Sequence, residues 1–228
     1  MLQKLLLTTL PLALPAGYLL YLHHTLSRKV PLTTTPHLQP NTAAFLPEEV
    51  TAQPDSYVVT HETAHLEIPT SSLPPITRSP DEWLLPHTRS CMTFFARTPQ
   101  AWGISYLLRN SEARATFSRL YLQRCKFDLG EVACGVYRVV SRGPGFIEMA
   151  LEAPEGYKGP VVEGRIVSRV EVEGEKAVFW NETVMWRRVG EPRTLLEGAV
   201  GRWLHGLMVR WMLDSGTRGL MEGTKKDA

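Results

Sequence analysis

Residues 60–65 read Thr-His-Glu-Thr-Ala-His, so His61, Glu62 and His65 carry the H-E-x-x-H spacing of zinc hydrolases. That chemistry needs a helix, where positions i and i+4 face the same way ~6 Å apart and can share one ion. On a strand the two histidines stand ~13 Å apart at ~3.3 Å per residue, too far to chelate one metal. Tyr57, Val58, Val59 and Thr60 are strand formers, and Pro54 and Pro69 bracket a segment of one strand's length. A third ligand is also missing nearby, the next histidine being His87 beyond a proline-rich stretch. The expectation is a first strand with polar residues on one side and neither metal nor cofactor, a zinc hydrolase remaining the minor alternative.

A second group of residues could act on a small molecule. Trp180, Glu182, Val184 and Trp186 alternate along one strand and so share a face. Were that face to point inward, Glu182 would be desolvated, its pKa would rise, and it would become a candidate acid or base. Were it to point outward, Glu182 would be a surface charge, and Asn181, Thr183 and Met185 would line the interior. His205, in Arg-Trp-Leu-His-Gly, is the other candidate catalytic residue, although a lone helical histidine is more often packed and hydrogen-bonded. Trp203 and Trp211 lie two turns apart on one helix face, and Tyr137 and Arg138 straddle the faces of their strand. Tyr137, Trp180, Trp186, Trp203 and Trp211 are the candidate ligand-contacting residues.

Several elements must position these groups. Residues 5–22 carry no charge, and eighteen such residues are at the lower edge of a membrane span. Lys4 before the run also suits a signal peptide, but no A-x-A cleavage site follows. The expectation is an uncleaved anchor over 1–29, a proline-rich tether over 30–55, one domain over 56–221 and a disordered tail over 222–228. Within the domain, 69–88 reads as an irregular connection. Thr98-Pro99 opens a helix over 99–109 carrying Trp102, Tyr106 and Leu107 on one side, and a second helix spans 112–122. The period then changes to two over 131–141, 146–152, 161–172 and 176–189, an antiparallel meander. Thr194 to Glu197 form a capping box for a helix running to about Ser215, with Gly216 as its stop. Its apolar stripe is Leu196, Val200, Trp203, Leu204, Leu207, Met208 and Trp211.

The 228 residues include 43% hydrophobic and 21% charged, with a net charge of +2, which gives no reason to invoke nucleic acid. Cys91, Cys125 and Cys134 have no C-x-x-C spacing and read as buried hydrophobes in a reducing compartment, which places the domain in the cytosol. The Asn181 sequon falls inside a strand and is discounted as a glycan site.

The order of strand, two short helices, meander and long C-terminal helix resembles the helix-grip layout of START-like lipid and hormone carriers over roughly 56–221. The fold class expected is α+β, with about five or six strands in all and an antiparallel meander curled around the last helix, a hot-dog fold being the alternative. Segments 131-EVACGVYRVV-140, 181-NETVMW-186 and 201-GRWLHGLMVRWMLDSGTR-218 resemble small, N-terminally anchored proteins of filamentous fungi, some from secondary-metabolite gene clusters. The resemblance implies a membrane-tethered domain binding a hydrophobic small molecule, as a carrier or as an accessory protein for cyclisation or isomerisation beside biosynthetic enzymes. The other readings are a thioesterase-like hydrolase, which a hot-dog fold would imply, and a non-catalytic assembly protein.

Overall fold

A computed structural model describes residues 2–75, 79–153 and 163–226, with the side chains of residues 2–14, 195 and 223–226 outside the description. Helix α1 (Leu2–Ser27) leads to strand β1 (Leu32–Thr35), and a short helix α2 (Glu48–Ala52) precedes β2 (Tyr57–Pro69). Four helices follow: α3 (Asp81–Phe95), α4 (Pro99–Leu107), α5 (Ser111–Ala115) and α6 (Arg119–Arg124). Then come β3 (Val132–Ala133), β4 (Tyr137–Gly143), β5 (Phe146–Leu151), β6 (Glu163–Glu173) and β7 (Lys176–Arg188). Helix α7 (Ala199–Lys226) closes the chain. The class is α+β. Seven strands form one antiparallel sheet in the order β1-β2-β7-β6-β5-β4-β3, with α7 and α3 against one face, consistent with a helix-grip layout.

Strand pleating decides what each face carries, because alternate residues point to opposite sides. Thr60, Glu62, Ala64 and Leu66 of β2 pair with Met185, Thr183, Asn181 and Phe179 of β7 and share the inner, helix-covered face. His61, Thr63 and His65 pair with Val184, Glu182 and Trp180 on the outer face. The inner face builds the main core, in which Phe95, Phe127, Phe179, Ile147 and Leu213 are fully buried. The outer face has its own apolar cluster, in which Ala44 and Val50 pack on Tyr57, Val167, Val184 and Trp186.

Several expectations change. The tether expected at 30–55 belongs to the domain: β1 is hydrogen-bonded to β2, and residues 38–50 form a strap over the outer face. Its prolines forbid long helices, but neither an edge strand nor an extended strap needs one. The irregular connection expected at 69–88 ends in α3, which accommodates Pro86 inside its fifteen residues. The helix expected over 112–122 is broken into α5 and α6, with Ser118 capping the second by accepting from the Tyr121 N–H. The strand expected over 131–141 is folded into a hairpin, because Cys134 and Gly135 take positive φ. A Cβ at Gly135 would lie 2.4 Å from Leu108 Cδ1, so glycine is needed there for space as well as conformation.

The last helix also differs. It begins at Ala199, after the Thr194–Glu197 capping box closes a separate 3-10 turn, and runs through Gly216 to Lys226, where a disordered tail is expected. Gly216 is a contact point, not a stop: a Cβ there would sit 2.6 Å from Cys91 Sγ and 2.7 Å from the His87 ring on α3. Leu196 and Leu207 of the expected stripe are buried, but Val200 and Leu204 are exposed, and the buried side continues through His205, Val209, Met212, Leu213 and Leu220. Packing of α3 and α1 against α7 sets this rotation. Helix α1 and the residues just after it are tied to α7 by the His23–Trp203 ring contact, by the Lys29–Asp214 pair at 3.5 Å and by Arg210 Nε donating to Val30 O. Among the described residues no helix is long and apolar enough to cross a membrane. The anchor expected at 5–22 falls largely on side chains outside the description.

Candidate functional site

Between the inner face and α7 lies a cavity of about 70 Å³. Its walls are largely apolar, with Phe95, Ile166 and Val209 joined by four methionines, Met92, Met185, Met208 and Met212. The polar groups on the wall are Gln100, Tyr137, Asn181, Thr183 and His205.

The His205 imidazole is oriented by Glu62. Its Nδ1 lies 2.7 Å from Glu62 Oε1, and the Thr34 hydroxyl donates to Glu62 Oε2 at 3.1 Å. A carboxylate at Glu62 is an acceptor only, so it fixes the His205 proton on Nδ1 and leaves Nε2 with the lone pair in the neutral ring. Glu62 is 1% exposed and His205 8% exposed, so water competes little with this bond. A histidine held by a carboxylate beside an apolar cavity is an arrangement for moving a proton. Tyr137 complements it, because complete burial pushes its hydroxyl above the usual tyrosine range and keeps it a donor.

The zinc pattern does not assemble. His61 and His65 project from the outer face of β2 and Glu62 from the inner face, since the segment is a strand. Among the described residues no group of three His, Cys, Asp or Glu could hold a metal ion.

Glu182 stands on the outer face and is nevertheless 4% exposed, so it is neither a cavity group nor a surface charge. Its carboxylate accepts from the Thr42 hydroxyl and the Ala43 N–H, and His61 Nε2 lies 3.1 Å away. The Gln39 N–H donates to His61 Nδ1, which directs the ring's proton to Nε2 on the Glu182 side. Burial alone would raise the Glu182 pKa, but hydrogen bonds from His61, Thr42 and Ala43 outweigh it and the net direction is down. Beside it Glu148 accepts from the Phe45 N–H at 2.7 Å, and burial raises its pKa against the pull of that bond and of Arg165. These groups clamp the strap, and none lines the cavity.

Of the residues proposed from sequence, the cavity brings together Tyr137 and His205, with Asn181, Thr183 and Met185 in the places that an outward Glu182 implies. Trp180 and Trp186 lie on the outer face, where their ring nitrogens donate to Glu171 and Glu163 and Arg169 and Arg165 stack over them. Trp203 and Trp211 are partly buried away from the cavity, against His23 and Phe94. Cys91, Cys125 and Cys134 are free and buried, and burial pushes the Cys91 thiol up to about 12. Sequence reasoning missed Glu62 as the partner of His205. Its signal is the alternation Val58, Thr60, Glu62, Ala64, Leu66, Ile68, in which one carboxylate interrupts an otherwise uncharged face. No family model, curated protein or solved structure matches this chain.

Proposed function

We propose that the chain binds a small, mostly apolar molecule between sheet and α7 and moves a proton on it, as in an isomerisation or cyclisation. The observation that carries this reading is the His205–Glu62 pair at the wall of an apolar cavity. His205 Nε2 takes the proton and returns it to another position of the same molecule, so no oxidant or second substrate is needed. Tyr137, Asn181 and Thr183 orient the polar end of the ligand. A volume of about 70 Å³ is far below the ~300 Å³ at the lower end of ligand pockets, so the occupied state needs side-chain movement. Four methionines provide it, since unbranched thioether chains re-pack at low cost. A membrane anchor at residues 5–22 would hold the domain where such compounds partition, with the domain in the cytosol. The resemblance to anchored fungal proteins favours a role in secondary-metabolite assembly.

The test follows proton exchange on enolisable apolar ketones in deuterated water by NMR. Wild-type protein accelerates deuterium incorporation beside the carbonyl, and His205→Gln removes the acceleration. Equal incorporation by wild type and His205→Gln would defeat the reading. The zinc alternative has lost its helix, and no observation favours the thioesterase reading.

A further inference from the structure

We propose that helices α4 to α6 form a second contact with a membrane, a docking belt for an anionic lipid surface at the rim of the cavity. The belt exposes large apolar side chains that a purely aqueous surface would hide. Trp102 is 63% exposed, Tyr106 89%, Leu107 50% and Leu120 59%. Trp102 and Tyr106 are four residues apart on α4 and therefore on one side of it. The exposure is built in, because each helix start is fixed by a cap: Thr98, Asn110 and Ser118 accept from the N–H groups of Ala101, Glu112 and Tyr121.

Charge selects the occupant. Residues 97–126 contain Arg97, Arg109, Arg114, Arg119, Arg124 and Lys126 against Glu112 alone. Six basic residues and one acidic residue give +5, while the whole chain carries +2, so everything outside the belt sums to −3. All six basic residues are exposed, and none has an ion-pair partner among the described residues. Tryptophan and tyrosine with leucine, ringed by free arginines, match the boundary between headgroups and acyl chains of an anionic bilayer. Each basic residue near such a surface contributes ~1 kcal/mol. Gln100, in the first turn of α4, also lines the cavity, so a docked belt opens the cavity rim toward the lipid. That consequence rests on the proposed ligand; the docking itself rests on the exposures and charges.

The test uses the full chain with Tyr106→Cys carrying an environment-sensitive fluorophore, the native cysteines being buried. A second sample carries the probe at Val189→Cys, a 63% exposed position just past β7. Vesicles are phosphatidylcholine with or without phosphatidylserine. The expected result is a blue shift at position 106 with phosphatidylserine vesicles, and none at 189. Arg109→Gln/Arg114→Gln/Arg119→Gln should weaken the shift roughly a hundredfold in lipid concentration, three arginines at ~1 kcal/mol each. Because the probe reads its own surroundings, insertion of α1 elsewhere does not imitate this. An unshifted probe, a shift indifferent to the arginine changes, or a shift that grows with protein concentration in the absence of vesicles would each overturn the proposal, the last pointing to a protein partner. Ligand retention is scored separately by native mass: ligand without docking defeats the belt, and docking without ligand defeats the proposed function.

Discussion

Glu182→Gln should unfasten the strap, and the structure gives the size of the effect. The carboxylate receives three donors, from Thr42, Ala43 and His61, in a place only 4% exposed. Hydrogen bonds to a charged acceptor contribute ~1.5–3 kcal/mol and neutral ones ~0.5–1.5, so neutralising the group costs about 1 kcal/mol per bond. The total is about 3 kcal/mol, and more if the new amide NH₂ faces a donor. For a chain of this size 1 kcal/mol shifts Tm by ~2–4 °C, so Tm should fall by about 6–12 °C. The pH dependence has a defined sign. The folded-state pKa lies below the ordinary carboxylate value of 4.5, so the stabilisation is complete above that value and is lost as pH falls through the lower folded pKa. Glu148, raised by burial, contributes with the opposite sign, so the clean readout is the difference between wild type and Glu182→Gln as a function of pH. The assay is thermal and denaturant unfolding across acid pH, joined to hydrogen exchange. Amides 39–45 should lose protection before the inner core does. An unchanged Tm at neutral pH, or exchange that rises uniformly across the chain, would refute the clamp.

Further outcomes follow from single contacts. His87 is fully buried on α3 and its pKa is pushed down to about 4 by desolvation, so wild type should lose on the order of 3 kcal/mol of stability between pH 6.5 and 4, a slope absent in His87→Gln. Gly216→Val should destabilise by about 1–3 kcal/mol in denaturant unfolding, since its Cβ would press on Cys91 and His87. Thr34→Val keeps the bulk at β1 but removes the donor to Glu62 Oε2; proton-exchange activity should fall while Tm changes by only a few degrees.

Much of the architecture was legible because local signals agreed. Residues 163–173 alternate cleanly, and glycine turns at Gly145 and Gly174 divide strand-forming runs, so the meander could be read directly. Thr98-Pro99 announced α4 in the same way. What remained hidden depends on contacts distant in sequence. The strap carries no period of its own, and its order comes from Glu182 and Glu148, more than a hundred residues later. Pro86 disguised α3, because a proline inside a helix reads as a break although the tertiary packing retains the helix. The face of β7 could not be chosen from its own residues, both being mixed. The register with β2 decides it, placing Thr183 opposite Glu62 on the inner side and Glu182 opposite Thr63 on the outer. The histidine motif is a strand, as its residues suggested, but the partner of its Glu62 was hidden, because His205 lies 143 residues away.

The most direct test of the central claim is native mass spectrometry of the full chain, wild type beside Met212→Trp. The full chain is required, because β1 belongs to the sheet and the strap packs over its outer face. Met212 lines the cavity from α7, and an indole there fills a space of about 70 Å³. The account predicts a mass excess of one apolar molecule on the wild-type chain and a bare Met212→Trp chain of unchanged fold by circular dichroism. A bare wild-type chain, or the same bound mass on both proteins, would contradict it.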